Sequence, residues 1–165
     1  MKKAAFLFLF VFITVSTFAQ VNLEALRKEY AKASSDSALC AKMYQRLSKT
    51  DNSNNVITGY RGAAAALMAD HSKGKAEKLK FFREGRSLLE QSIIKDNSNA
   101  ELRLLRLSIQ SNCPKVLNYN KDIPADKKFI LDNYKTIKDQ GLKTMLRDFC
   151  LKSSAFSSEE KKQFQ

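Results

Sequence analysis

The chain has 165 residues, with 29 Lys and Arg against 17 Asp and Glu, and a formal net charge of +12. That length suits one ordinary domain rather than two, and a hydrophobic content of 44% excludes wholesale disorder,. Five Gly and two Pro are too few turn residues for an all-β sandwich,. One His and three Cys leave little material for a metal site or a His-dependent triad,.

The first residues read as an export signal. Lys2 and Lys3 precede an apolar run, Ala4 to Val15, broken only by Thr14. Thr17-Phe18-Ala19 then supplies small residues at the processing positions, so Sec cleavage is expected after Ala19,. The run is shorter than the roughly 20 residues of a membrane helix; an uncleaved N-terminal anchor is the alternative. No Cys follows the run at the cleavage site, so a lipid anchor is not expected there. The ending Phe18-Ala19-Gln20 resembles that of proteins secreted by Bacteroidetes, which implies the periplasm or beyond. Cleavage removes two basic residues and no acidic one. The expected division is a signal peptide over 1–19, a helical domain over 20–156, and a short frayed tail or helix over 157–165.

Helical periodicity governs the chain from residue 22 onward. Asn22 is placed to cap a first helix carrying Leu23, Leu26 and Tyr30 on one stripe. Ser34-Ser35-Asp36-Ser37 stops it and starts a second, to about Lys49, with Leu39, Met43 and Leu47 in register,. Asp51-Asn52-Ser53-Asn54 breaks that helix. A third is predicted over Asn55 to His71, with Ile57, Tyr60, Ala64 and Leu67 inward and a nearly bare surface of Gly59, Gly62 and Ala63 to Ala66. Ser72-Lys73-Gly74 turns into a long helix over Lys75 to Lys95, where Leu79, Phe82, Leu89 and Ile93 face inward and Gly85 permits close approach.

Asp96-Asn97-Ser98-Asn99 precedes a fifth helix, Ala100 to about Ser111. Its apolar face is broadened by Leu104 and Leu107, which implies burial on two sides,. The period is lost between Asn112 and Pro124, the longest irregular stretch. Helices resume over Asp126 to Asp139 and Leu142 to Lys152, with Gly141 as the turn between them. Ser157-Ser158-Glu159-Glu160 reads as a capping box,.

The tetrad at 51–54 recurs at 96–99. The same offset places Met43 on Leu88, Tyr44 on Leu89, Tyr60 on Leu105 and Arg61 on Arg106. Two helices per period of this length signal stacked helical hairpins, each needing its neighbour to bury a second face. The expected fold is therefore all-α, a short α-solenoid of about three hairpins. Over residues 22 to 152 it resembles the tetratricopeptide-repeat class in architecture, with a longer period than the usual 34 or so. The stretches Gly59 to Ala64 and Glu101 to Gln110 also resemble small secreted helical proteins of Bacteroidetes, a resemblance that implies no activity.

Arg61, Arg106 and Arg147 fall at matching places in the first helix of each hairpin, and Arg103 lies one turn from Arg106. On a concave solenoid face they would form a ladder of planar donors suited to carboxylates or phosphates. Otherwise each pairs with an acid on a neighbouring helix. Lys73, Lys75, Lys78, Lys80, Arg83 and Arg86, against Glu77 and Glu84, make the most basic segment. It is either a footprint for an anionic partner or a solvated helix face. Nucleic acid is not expected, since no exposed aromatics interleave with this run.

Cys113 and Cys150 both lie near helix C-termini, so a Cys113–Cys150 disulfide is one expectation and three reduced thiols, with Cys40, the other. His71 sits at a helix end, where positive charge is favoured. With no Gly-rich phosphate loop, ligand cluster or carboxylate pair of recognisable spacing, no cofactor and no enzymatic activity are expected. The sequence favours a periplasmic or secreted interaction module for a protein or peptide, held on the concave face. The alternative is a basic adaptor for anionic envelope lipid or glycan.

Overall fold

Short polar side chains decide where most helices of this chain begin. The structure, a computed structural model, describes residues 21–51 and 53–165; the expected signal peptide lies outside them. Asn22, Asp36, Asn54, Asn99 and Asp139 stand in extended backbone, and each side chain accepts from an N–H of the next turn,. The helices they open are α1 (Leu23–Ala33), α2 (Ser37–Leu47), α3 (Asn55–His71), α5 (Ala100–Asn112) and α7 (Gln140–Lys152). Between α3 and α5 runs α4 (Lys75–Lys95), which starts after Gly74 without a side-chain cap. Among the described residues there are eight α-helices and no strand.

Three boundaries differ from the sequence expectation. The first concerns α6 (Ile123–Asn133), which opens ahead of Asp126 because Pro124 fits its first turn, where a missing N–H costs nothing,. It also ends earlier, passing into a 3-10 turn at Tyr134–Thr136. Secondly, Gly141 is not the turn; Asp139 caps α7 two residues earlier and Gly141 lies in the first turn of that helix. Thirdly, the C-terminal segment does not fray. Ser157 and Glu160 close a reciprocal capping box on α8 (Ser158–Lys161), and a 3-10 turn then buries Phe164 against Tyr134 and Phe156.

Consecutive helices from α1 to α6 pack as hairpins, stacked as a short solenoid. The tightest pair is α3 with α4. They cross at Gly62 and Gly85, so closely that a Cβ on Gly85 would lie 2.5 Å from the Gly62 carbonyl oxygen. As its broad apolar face implied, α5 is buried on two sides. Leu102 and Leu105 join the cluster of α1 to α4, while Leu104 and Leu107 join that of α6, α7 and the C-terminal segment. Each of these leucines is worth roughly 1.5–3 kcal/mol of burial. A third cluster packs Ala69 of α3 and Phe82 of α4 against Tyr119 of the irregular stretch.

The first helices of the hairpins do not form an open row. Helix α1 touches α3 and also α7, and α5 touches α3 and α7, so the four surround a shared interior.

Candidate functional site

The shared interior holds a buried charged pair within its apolar core. Arg27 of α1 donates Nε and Nη2 to the two carboxylate oxygens of Glu101, at 2.8 and 2.7 Å. Its Nη1 donates to Asp139, the N-cap of α7, at 3.1 Å. Tyr60 of α3 donates its hydroxyl to Glu101 at 2.6 Å. Glu101 is only 3% exposed, yet it stands in the first turn of α5, where a helix favours negative charge,. The Glu101 hydrogen bond raises the Arg27 pKa above its already high ordinary value. Burial, and then the Glu101 charge, push the Tyr60 hydroxyl well above the usual phenol range. Above this centre the Tyr30 hydroxyl meets Ser108 at 2.8 Å. Sequence reasoning missed Arg27 and Glu101. The signal was present in Arg27, which sits four residues after Leu23 and three before Tyr30, on the apolar stripe itself.

The recurrent arginines also turn inward. Arg106 is 6% exposed. It donates Nε and Nη2 to Asp126 at 2.7 Å each, and Nη1 to Glu90 at 2.8 Å. Burial disfavours its charge, but Asp126 more than compensates, and its pKa rises. Arg103 donates to the same Asp126 at 2.9 Å and to the Asn97 carbonyl, with its guanidinium over the Phe129 ring. Arg61 reaches Glu84 at 3.5 Å, where the Tyr44 hydroxyl also donates. Arg147 donates Nε to the Phe164 carbonyl at 2.9 Å and pins the C-terminal segment. The ladder of open donors on a concave face is therefore corrected: each of the four bonds within the chain. Arg61 and Arg106 both hold an acid on the second helix of their own hairpin, which explains their recurrence structurally.

The basic segment is different. Lys73, Lys75, Lys78, Lys80, Arg83 and Arg86 are all exposed. Glu84, one of the two acids among them, is turned toward Arg61 and Tyr44 instead. Glu77 is exposed with the lysines. Arg86 lies over the Tyr119 ring, 5.1 Å from its centroid, so the 115–119 stretch borders this face.

The three thiols are free. The Cys113–Cys150 disulfide is not formed, because the two residues belong to different clusters: Cys113 packs with Phe82 and Tyr119, Cys150 with Leu104 and Leu146. Burial raises the Cys40 pKa to about 11 and that of Cys150 to about 12, which keeps both protonated and poorly nucleophilic at neutral pH,. His71 lies in the last turn of α3, and its Nε2 donates to the Ala33 carbonyl at 3.0 Å. Among the described residues, no group of three or more His, Cys, Asp or Glu could hold a metal ion. A shallow cleft of about 650 Å³ is lined by Lys42, Arg46, Lys49, Asn54 and Ile57 among others; Arg46 is paired there with Glu29.

The chain matches no protein-family model, no curated protein and no solved structure.

Proposed function

We propose that this protein is an exported, non-catalytic helical-hairpin module that binds an anionic partner through the exposed basic face of α4. The single observation that carries the reading is the contrast between two sets of cations. Arg27, Arg103 and Arg106 are spent on internal carboxylates, whereas the six basic residues from Lys73 to Arg86 are exposed to solvent. A field of one sign on a small protein attracts partners of the other. The lysine-led, apolar N-terminus supports export. The protonated Cys40 and Cys150 support a binding rather than a nucleophilic role. The four arginines expected to line a concave face bond within the chain and lend no support to a peptide held there.

The test is binding to poly-L-glutamate by fluorescence anisotropy across a salt series. The purified protein binds, and its affinity falls steeply as salt rises. The variant K75E/K78E/K80E/R83E, folded by circular dichroism, loses binding. Affinity unchanged in that variant would overturn the proposal.

A further inference from the structure

We infer that the α4 face docks on an anionic lipid surface, with Val116 and Leu79 as its apolar contacts; this rests on the reading of that face as an anion-binding surface. Two independent observations meet there. The first is charge: six exposed cations stand against Glu77, since Glu84 is held by Tyr44 and Arg61. The second is exposed hydrocarbon. Val116 is 88% exposed, and Leu79, expected from the sequence to face inward, is 37% exposed; both are among the large hydrophobic side chains left in solvent.

These two residues flank one structural unit. Leu79 lies one helical turn before Phe82, whose ring meets Tyr119 edge-on at 5.7 Å. Val116 belongs to the 3-10 turn Lys115–Leu117, whose Leu117 packs on that same Phe82–Tyr119 cluster. The turn is closed by Asn118 in the left-handed region, at φ 48°, so Val116 is held outward by a defined backbone. Lys115 stands beside it and Arg86 covers Tyr119. The surface thus combines cations with protruding apolar side chains on a rigid base. A polyanionic glycan or an acidic peptide satisfies the cations alone. The boundary between anionic headgroups and acyl chains satisfies both. No helix among the described residues is long and apolar enough to cross a membrane, so the contact made by this face is peripheral.

The experiment is co-sedimentation with vesicles of phosphatidylcholine containing about one third phosphatidylglycerol, against pure phosphatidylcholine. The protein is used after export has removed residues 1–19, whose apolar run would itself partition into lipid. Binding to the anionic vesicles only is expected, weakening with salt. Each neutralised lysine should weaken it about fivefold, so K75Q/K78Q/K80Q loses roughly a hundredfold. Val116→Ser, on a side chain that supports no core, should weaken vesicle binding severalfold and leave poly-L-glutamate binding unchanged. In Val116→Trp, emission should shift to the blue on anionic vesicles. Binding to poly-L-glutamate without binding to vesicles overturns the lipid inference and leaves the anionic-partner reading intact. Vesicle binding indifferent to Val116→Ser also overturns it. Binding to neither probe overturns both.

Discussion

Arg27 and Glu101, 74 residues apart in sequence, face each other in the interior through two parallel hydrogen bonds of 2.8 and 2.7 Å. The pair links α1 to α5, and its neighbours Tyr60 and Asp139 extend the link to α3 and α7. A buried carboxylate that loses its cation stays desolvated without compensation. Arg27→Met should therefore destabilise by about 3–5 kcal/mol. The double variant R27M/E101M should be much less destabilised than the two single costs added together, because it removes both charges. Urea denaturation of the four proteins measures this coupling, and simple additivity would show that the pair is not a unit.

This pair also marks where sequence reading stopped. The cap at Asn22, the breaks at 51–54 and 96–99, the span of α3 and the two-sided burial of α5 were legible, because each depends on residues within one or two turns. Asp126 reads in the sequence only as the start of a helix, whereas the structure buries it together with Ile130 and Tyr134. Its chain neighbours could not announce that two arginines of α5 would converge on it. The exposure of Lys73 to Arg86 was legible as a local run. The diversion of Glu84 to Arg61 and Tyr44 was not, because it depends on how α2 and α3 lie against α4.

The glycines at the α3–α4 crossing give a graded test of close packing. A Cβ on Gly62 would sit 2.8 Å from the Gly85 carbonyl oxygen, and one on Gly85 would sit 2.5 Å from the Gly62 oxygen and 2.7 Å from the Ala66 nitrogen. Backbone cannot move aside without separating the helices. A Cβ on Gly59 meets chiefly the end of the Leu102 side chain, which has rotamers to use. Gly85→Ala should cost about 3 kcal/mol or more, and Gly59→Ala distinctly less. Thermal denaturation of the two variants ranks them; equal losses would contradict the backbone contact.

Alkaline pH should destabilise the fold through its buried thiols. Cys40 and Cys150 titrate at about 11 and about 12 when folded, against an ordinary 9.0, because burial disfavours the thiolate. Between pH 9 and those values the folded chain holds protons that the unfolded chain has released. Stability therefore falls as pH rises through this window, by about 1.4 kcal/mol per unit for each thiol. Tyr30, raised to about 12 by burial, adds to the fall at its upper end. Cys40→Ala should lower stability at neutral pH yet flatten the slope above pH 9. An unchanged slope in urea titrations under reducing conditions would show that Cys40 is not protected as the structure has it.

The repeated caps are equivalent in geometry but not in what they support. Asn54 Oδ1 accepts from the Val56 and Ile57 N–H groups at 2.9 and 3.1 Å, and Asn99 Oδ1 from those of Glu101 and Leu102 at 3.0 and 3.2 Å. Loss of such a cap costs about 1 kcal/mol, which is the expectation for Asn54→Ala. Asn99 also holds Asp96 through its Nδ2 at 2.9 Å, and it fixes the very turn that aims Glu101 at Arg27. Asn99→Ala should therefore cost more. Its excess should shrink in the R27M/E101M background, where the turn no longer positions a buried charge, while the cost of Asn54→Ala stays the same there. Equal costs for both caps in both backgrounds would mean that the cap at Asn99 does not serve the buried pair.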